Sequence, residues 1–294
     1  MSKKKIAAMM TTAMLICGGM VTMTTPLSAY ASNAVLTECQ PSAQSESDRE
    51  KAERILADLY ANVEDPVIRE MGTDLSLAAI FPVDQSKGTV DVVNRGITNI
   101  AGKYDIHPCC FKKSTFNLLG SINGHFISGD SKLAVVSFDT PSLDNLSKLE
   151  MFYADAKRLR EATAGMSEPD KVSCLHDTIV SRVTPEIIPE LSLVDAWFSG
   201  KGSCNDYTGL FYILGNYCGL HVETEIGDSD REYHAWNTVL VNGQKKYLDL
   251  TWDAGSGSRT YYLQDADTWH IHHVAFTGDF DQVKQQLDRL KHRI

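Results

Sequence analysis

The second half of this 294-residue chain contains the three residue types that a thiol enzyme needs for acyl transfer. They are Cys204, His234 thirty residues later, and Asp249 fifteen residues after that. A cysteine nucleophile needs a base within hydrogen-bond reach, and the base needs a third group to orient it. Each residue alone also fits a simpler interpretation. The cysteine could be a buried thiol or part of a disulfide, and the other two could be solvent-exposed surface residues.

The stretch GKGSCNDYTGLF predicts that Cys204 begins a helix. Ser203 is a good N-cap, and Asp206 three residues later gives a weak form of the capping box. The unpaired N–H groups and the dipole at a helix start favour the thiolate form of a cysteine, which Asp206 slightly opposes. Gly202 leaves room for a substrate backbone. The cysteine belongs to an apolar stripe, so it should face the element on which the helix packs; the other members are Tyr207, Phe211, Leu214 and Cys218.

A predicted hairpin would bring the other two residues together. Asn242-Gly243 separates the strand-like segments YHAWNTVLV and KKYLDLTW, and this dipeptide is typical of a two-residue turn. Such a turn places His234 opposite Thr251 and puts Asp249 one diagonal step away on the same face. Diagonal neighbours lie roughly 7–8 Å apart, so the carboxylate could orient the imidazole. A three-residue loop would put the two residues on opposite faces.

Hydrophobic periodicity predicts helices first and an antiparallel sheet afterwards. We predict helices over 47–62, over 143–165, from Ser167 to about 183, from Cys204 to Gly219 and over 281–292. The first has one apolar face, which consists of Ala52, Ile55, Leu56 and Leu59. The strand-like segments LHVETEI, YHAWNTVLV and KKYLDLTW lie between the last two helices. This order is typical of an α+β domain in which the cysteine helix packs on the sheet.

Residues 1–31 have the features of a cleaved signal peptide. Lysines at 3–5 precede an apolar run, and the small-x-small pattern of a cleavage site ends at Ala31. No later stretch reaches the ~18 apolar residues that a membrane span needs. We predict a secreted protein with a mixed accessory region over 32–140 and a catalytic domain over 141–294.

The charge and the cysteines of the mature chain limit its partners. Without the three signal-peptide lysines, 25 Lys and Arg face 38 Asp and Glu, a net charge of −13 that disfavours nucleic acid and anionic lipid. Six cysteines remain, namely Cys39, Cys109, Cys110, Cys174, Cys204 and Cys218. An even number favours three disulfides in an exported protein, whereas a working thiol leaves five.

No metal or cofactor is predicted from the remaining motifs. The chain has no CxxC pair of the kind found in zinc ribbons. The histidine-rich run at 269–273 has no carboxylate or cysteine cluster tied to it, and we interpret it as surface or packed histidines. The acidic residues at 228–232 lack calcium-ligand spacing and are interpreted as a solvated loop.

The segments GKGSCNDYTGLFYILGNYCGLHVETEIG and HAWNTVLVNGQKKYLDLTWD resemble the core of the transglutaminase-like superfamily. Members show a Gly-x-Cys-x-x-Tyr block, a His-Ala-Trp-Asn strand and an Asp-x-Thr-Trp strand in this order, and the match covers about 165–270. The resemblance implies a papain-like fold with Cys204 as nucleophile, His234 as base and Asp249 as orienting carboxylate. It also implies supporting positions at Trp236, Asn237, Thr251 and Trp252. Many bacterial members have Gln-Gly where this chain has Asn205-Asp206, which bears on substrate preference.

These patterns predict a secreted cysteine acyltransferase or hydrolase that forms a thioester with a protein or peptide substrate. An amine acceptor would give crosslinking, and water would give deamidation or, from a peptide bond, proteolysis; the same triad serves all three. Two non-enzymatic alternatives stay open: a binding or scaffold protein, and a structural protein stapled by disulfides that has no free thiol.

Overall fold

A computed structural model describes residues 43–66, 69, 78–82, 122–126, 133–138, 143–187, 193–230, 232–278 and 280–291. Its helices are α1 (Ala43–Leu59), α2 (Leu143–Ala162), α3 (Glu168–Arg182), α4 (Leu193–Ser199), α5 (Cys204–Tyr217), α6 (Leu250–Ser256), α7 (Ala266–Trp269) and α8 (Phe280–Lys291). Its strands are β1 (Ala78–Pro82), β2 (Ile122–Phe126), β3 (Leu133–Phe138), β4 (Thr184–Pro185), β5 (Lys201–Gly202), β6 (Val222–Ser229), β7 (Glu232–Val241), β8 (Gln244–Leu248) and β9 (His273–Ala275). The predicted signal peptide, Cys39, Cys109 and Cys110 lie outside the described residues.

An antiparallel sheet in the order β8-β7-β6-β9 lies beside the cysteine helix. The predicted hairpin is present: Val241 pairs with Gln244, and the pairing continues to Asn237 with Leu248. The two residues of the turn, 242–243, have φ angles of 51° and 73°. A type I′ turn needs this left-handed backbone at both positions, which explains the preference for Asn-Gly.

The predicted strand KKYLDLTW is wrong beyond Leu248, because the chain turns into α6 there. Asp249 is the N-cap of this helix, and its Oδ1 accepts hydrogen bonds from the N–H groups of Thr251 and Trp252, each at 3.0 Å. An aspartate that caps a helix competes with strand pairing for the same backbone groups. His234 therefore does not face Thr251 across a ladder.

All residues of helix α5 are buried, and the helix packs within the largest core of the described residues. It packs against β6 and β7 and also against α1, α3 and α4. The core around it contains buried side chains from each of these layers, among them Leu59, Leu175, Trp197, Leu210, Phe211 and Val239. An α+β fold with the cysteine helix on an antiparallel sheet is thereby confirmed.

Helix α1 belongs to the same core, although it lies inside the predicted accessory region. The four residues of its predicted apolar face are all buried. The hydroxyl groups of Tyr153 in α2 and Tyr217 in α5 both donate to Asp58 of α1, at 2.7 and 2.9 Å. The domain boundary at residue 140 stays a prediction. In the described part of the chain, no helix combines the length and apolarity needed to cross a membrane.

Candidate active site

The start of α5 has the predicted cap, and Cys204 is its first residue. Asp206 Oδ2 accepts from the Ser203 N–H at 2.7 Å and from the Ser203 hydroxyl at 2.8 Å. A Cβ at Gly202 would lie 2.8 Å from the Cβ of Asp206. The space that this glycine leaves is therefore filled by the capping aspartate, and the approach of a substrate backbone there stays a prediction.

His234 and Asp249 form a fully buried pair. Nε2 of His234 lies 2.7 Å from Oδ2 of Asp249, and neither side chain is exposed. The histidine comes from β7 and the aspartate from the cap of α6, so a strand and a helix start bring them together. A carboxylate can only accept, so Nε2 carries the proton and Nδ1 is the nitrogen that remains for Cys204.

The charges of this site support one another. Burial alone would lower the pKa of His234, but the Asp249 carboxylate and the negative charge of a Cys204 thiolate raise it well above its usual value. Burial alone would raise the pKa of Asp249, but His234 and a second histidine, His273, hold it well below its usual range. The arrangement therefore favours a protonated His234 imidazolium beside an ionised Asp249 carboxylate.

Two predicted supporting residues bond the histidine strand to its neighbours, Asn237 to both α5 and β6 and Trp236 to β6. Asn237 of β7 donates from Nδ2 to the carbonyl of Thr208 in α5 at 3.1 Å and to that of Glu223 in β6 at 3.2 Å. Trp236 Nε1 donates to Glu225 Oε2 at 3.0 Å. Both side chains are buried, so these hydrogen bonds are shielded from water.

Trp252 covers the imidazole of His234. The two rings are stacked with centroids 5.4 Å apart, and the backbone N–H of Trp252 also caps Asp249. Thr251 contributes through its backbone N–H in the same cap. Of the predicted site residues, the described structure thus brings Thr251 and Trp252 onto the histidine–aspartate pair itself.

An apolar cluster covers Cys204, which is only 4% exposed. Its other members are Ile226, Tyr233, Ala235 and Leu290, with Phe276 and Val283 packed against them. Leu290 and Val283 belong to α8, whose Gln286 donates from Nε2 to the carbonyl of Thr277 at 2.6 Å. A substrate has to displace part of this cover to reach the thiol.

We expect Leu290→Ala to increase the rate at which iodoacetamide alkylates Cys204 by about three- to tenfold, because large-to-small substitution leaves space over the buried thiol. Mass spectrometry after timed labelling gives the rate. Leu240→Ala is the matched control, since Leu240 is an exposed leucine on β7 and should leave the rate unchanged. An unchanged rate in Leu290→Ala would show that α8 does not limit access.

His273 of β9 is a site residue that sequence reasoning missed. Its Nε2 lies 3.3 Å from the same Asp249 oxygen that contacts His234. Its buried ring stacks on Trp269, with centroids 3.8 Å apart. The sequence WHIHH at 269–273 was the only sign of it in the sequence. The pairing of β9 with β6 is what turns His273 toward the site.

A second buried histidine–aspartate pair, also missed, supports the helix that Asp249 caps. His176 Nε2 lies 3.1 Å from Oδ2 of Asp253, and Oδ1 of Asp253 accepts from the Tyr261 N–H at 2.8 Å. The Asp253 N–H donates to the Asp249 carbonyl at 3.1 Å. This pair anchors α6 to α3 from behind the site. The signal in the sequence was a histidine on the apolar face of α3.

His234, Asp249 and His273 also offer three possible metal-ligand atoms, which lie within 4.8 Å of one another. One carboxylate oxygen already lies between the two imidazoles as a hydrogen-bond acceptor. Metal-bound histidines usually donate from their other nitrogen, yet Nδ1 of His273 has no partner among the described residues. The three residues fit a hydrogen-bond network better than a metal site.

The described cysteines are thiols. Cys174, Cys204 and Cys218 are all free. Of the two outcomes that the cysteine count left open, three disulfide bridges would need these three thiols to be paired, and they are free. The alternative of a structural protein that is stapled by disulfides and has no free thiol is not supported by these three free cysteines.

No family model matches the chain, and no curated protein is significantly similar to it. Among solved structures, it is similar to a candidate protease from Parabacteroides distasonis, with 15% identity over 41% of this chain and 29% of that chain and a TM-score of 0.26. A candidate cysteine protease from Cytophaga hutchinsonii shows 15% identity, coverage of 45% and 62%, and a TM-score of 0.28. A TGase shows 17% identity, coverage of 50% and 47%, and a TM-score of 0.29. The chain spans less than two-thirds of each of these chains.

Proposed function

We propose that this protein is a cysteine enzyme that forms a thioester with a protein or peptide substrate at Cys204. The observation that carries this proposal is the buried 2.7 Å contact of His234 with Asp249, next to a thiol at a helix start. A buried ion pair is costly unless hydrogen bonds satisfy its members, and both oxygens of Asp249 have such partners here. Such an arrangement is typical of functional sites in which proton affinities are tuned.

In the first half-reaction, the Cys204 thiolate attacks the carbonyl carbon of a glutamine carboxamide or peptide bond. The carbonyl oxygen takes the electron pair, and the Cys204 N–H at the helix start is positioned to donate to it; such donors are worth ~3 kcal/mol each in comparable sites. The tetrahedral intermediate collapses with cleavage of the C–N bond. The proton on Nδ1 of His234 goes to the departing nitrogen, which leaves as ammonia or an amine.

In the second half-reaction, an incoming amine or water attacks the thioester, and the now neutral His234 takes its proton. The C–S bond breaks and restores the thiolate–imidazolium pair. An amine gives an isopeptide crosslink, and water gives a carboxylate. Asp249 keeps the same tautomer of His234 throughout, because Nε2 stays bonded to the carboxylate.

Incubation with a glutamine-containing donor peptide and a labelled primary amine tests the proposal. Ammonia release with amine incorporation identifies a transglutaminase, ammonia release alone a deamidase, and chain cleavage a peptidase. A binding or scaffold protein would give none of these with any donor peptide. Export through the signal peptide remains part of the proposal, and N-terminal sequencing of the mature protein would test cleavage after Ala31.

We expect the alkaline limb of the pH–rate profile to lie well above pH 6.5, the ordinary pKa of histidine. The raised pKa keeps His234 protonated, and able to give its proton to the leaving group, until the pH rises through that folded-state value. The same shift contributes stability that is complete below pH 6.5 and is lost as the pH rises through the folded-state pKa. Measurement of kcat/KM from about pH 5 to about pH 10 checks this. An alkaline limb centred near 6.5 would contradict the ion-pair assignment.

A further inference from the structure

His273 shares the carboxylate that orients His234. Its Nε2 lies 3.3 Å from Asp249 Oδ2, while Nε2 of His234 lies 2.7 Å from the same oxygen. The other oxygen, Oδ1, accepts two backbone N–H groups at the start of α6. Since a carboxylate only accepts, His273 must carry its proton on Nε2. Asp249 thus has four donors, two of which are imidazoles.

The fold is built to hold this second imidazole. Strand β9 pairs with β6, and the Gly227 that pairs with Ala275 on one side pairs with His234 on the other. A Cβ at Gly227 would clash with the backbone carbonyl of Val274 in β9 and lie 2.6 Å from the Trp236 ring, so a side chain here would push β9 and the Trp236 ring away. Four buried or half-buried rings enclose His273, namely Trp236, Trp252, Tyr261 and Trp269.

The electrostatic setting keeps His273 neutral. Burial lowers its pKa, and the Asp249 carboxylate offsets this only in part. The titratable groups near the two imidazoles come from several elements: Cys204 from α5, Asp249 from the cap of α6, Tyr261 from the following loop and His272 beside β9. Of these, His272 points to the surface, where it contacts Asp230 at 3.1 Å. A neutral N–H donor therefore competes with a charged imidazolium for one oxygen.

We propose that His273 is a positioning residue that fixes Asp249 beneath His234 and, by taking part of the carboxylate's negative charge, keeps the His234 imidazolium acidic enough to protonate the leaving group. This inference rests on the proposed function for its catalytic consequence, but the contact itself can be tested without a substrate. Without the second donor, Asp249 would interact more strongly with His234 and hold its proton more tightly. A role in packing alone would loosen the pair and have the opposite effect.

The test is NMR titration of the full-length mature protein with labelled histidines. In the wild-type protein, His273 should show the neutral Nε2–H tautomer across the physiological range. In His273→Phe, which can stack on Trp269 but cannot donate, the titration midpoint of His234 should move upward by roughly half a pH unit or more. His273→Gln, which restores an N–H donor, should return it close to the wild-type value. His272→Gln is the matched control and should leave the midpoint unchanged.

A midpoint that is unchanged or lower in a folded His273→Phe protein would overturn the proposal, as would a charged His273 or a Nδ1–H tautomer in the wild type. Where His273→Phe does not fold, a charged His273 or a Nδ1–H tautomer in the wild-type spectrum still overturns the proposal. With an active substrate, His273→Phe should lower kcat about tenfold or more with little change in KM, because misplacement of the orienting group affects the reacting geometry. Loss of the proposed acyl transfer with an intact NMR pattern would count against the function and not against this contact.

Discussion

Cys204→Ala should lose at least about 10⁴-fold in whichever of amine incorporation, ammonia release or peptide cleavage the wild-type protein shows. Alanine removes the sulfur that attacks the carbonyl and the negative charge that helps to hold the proton on His234. The fold should survive, because the cap of α5 depends on Ser203 and Asp206 and not on the thiol. Circular dichroism and a steady-state assay of both proteins measure this.

Cys174→Ala is the matched control for that loss. Cys174 is a free, partly exposed thiol on α3 that makes no contribution to the site described above. Its replacement should leave the activity within about twofold of the wild type, in line with substitutions away from special features. Activity retained in Cys204→Ala, or lost equally in both variants, would remove the nucleophile from the proposed mechanism.

Asp249→Asn should lower the activity by about 10³- to 10⁴-fold while leaving the protein folded. An asparagine is as good an N-cap as an aspartate, so its oxygen can keep the bonds to Thr251 and Trp252. Its NH₂ group then faces the two imidazoles, which at present both donate to Asp249. His234 must turn to the tautomer that accepts at Nε2, and Nδ1 then carries a fixed proton and cannot act as a base toward Cys204.

The matched control is Asp265→Asn, which makes the same substitution at the cap of α7, on an exposed side chain away from the site. It should change neither activity nor melting temperature by a measurable amount. The tautomer of His234, read from nitrogen NMR shifts, separates orientation from unfolding. Full activity in Asp249→Asn, or an unchanged His234 tautomer, is the outcome that would exclude an orienting role for the carboxylate.

Local signals predicted the parts of the site that depend on short-range geometry. Ser203 and Asp206 placed Cys204 at a helix start, and Asn242-Gly243 fixed the register of β7 on β8. The sequence predicted that Asp249 contacts His234, but it predicted this contact from a strand that the structure does not have. The prediction extended β8 by alternation, whereas the carboxylate caps a helix and reaches His234 from the end of the ladder.

The contacts that sequence reasoning missed are long-range. His273 meets Asp249 only because the three-residue β9 joins the sheet at β6, and nothing within a few residues of His273 indicates that pairing. His176 and Asp253 lie 77 positions apart and meet only when α3 packs on α6. Short-range patterns specify caps and turns, but they do not specify which separate elements become neighbours.

The most direct test of the central claim is intact-protein and peptide mass spectrometry after rapid mixing with a glutamine-containing donor peptide and acid quenching. The mechanism predicts a thioester adduct on Cys204 whose mass equals the donor minus ammonia or, for a peptidase, minus the amine fragment. The adduct should be absent in Cys204→Ala and should disappear on addition of hydroxylamine. An acyl group on any other residue, or a Cys204 that is engaged in a disulfide in the native protein, would contradict it.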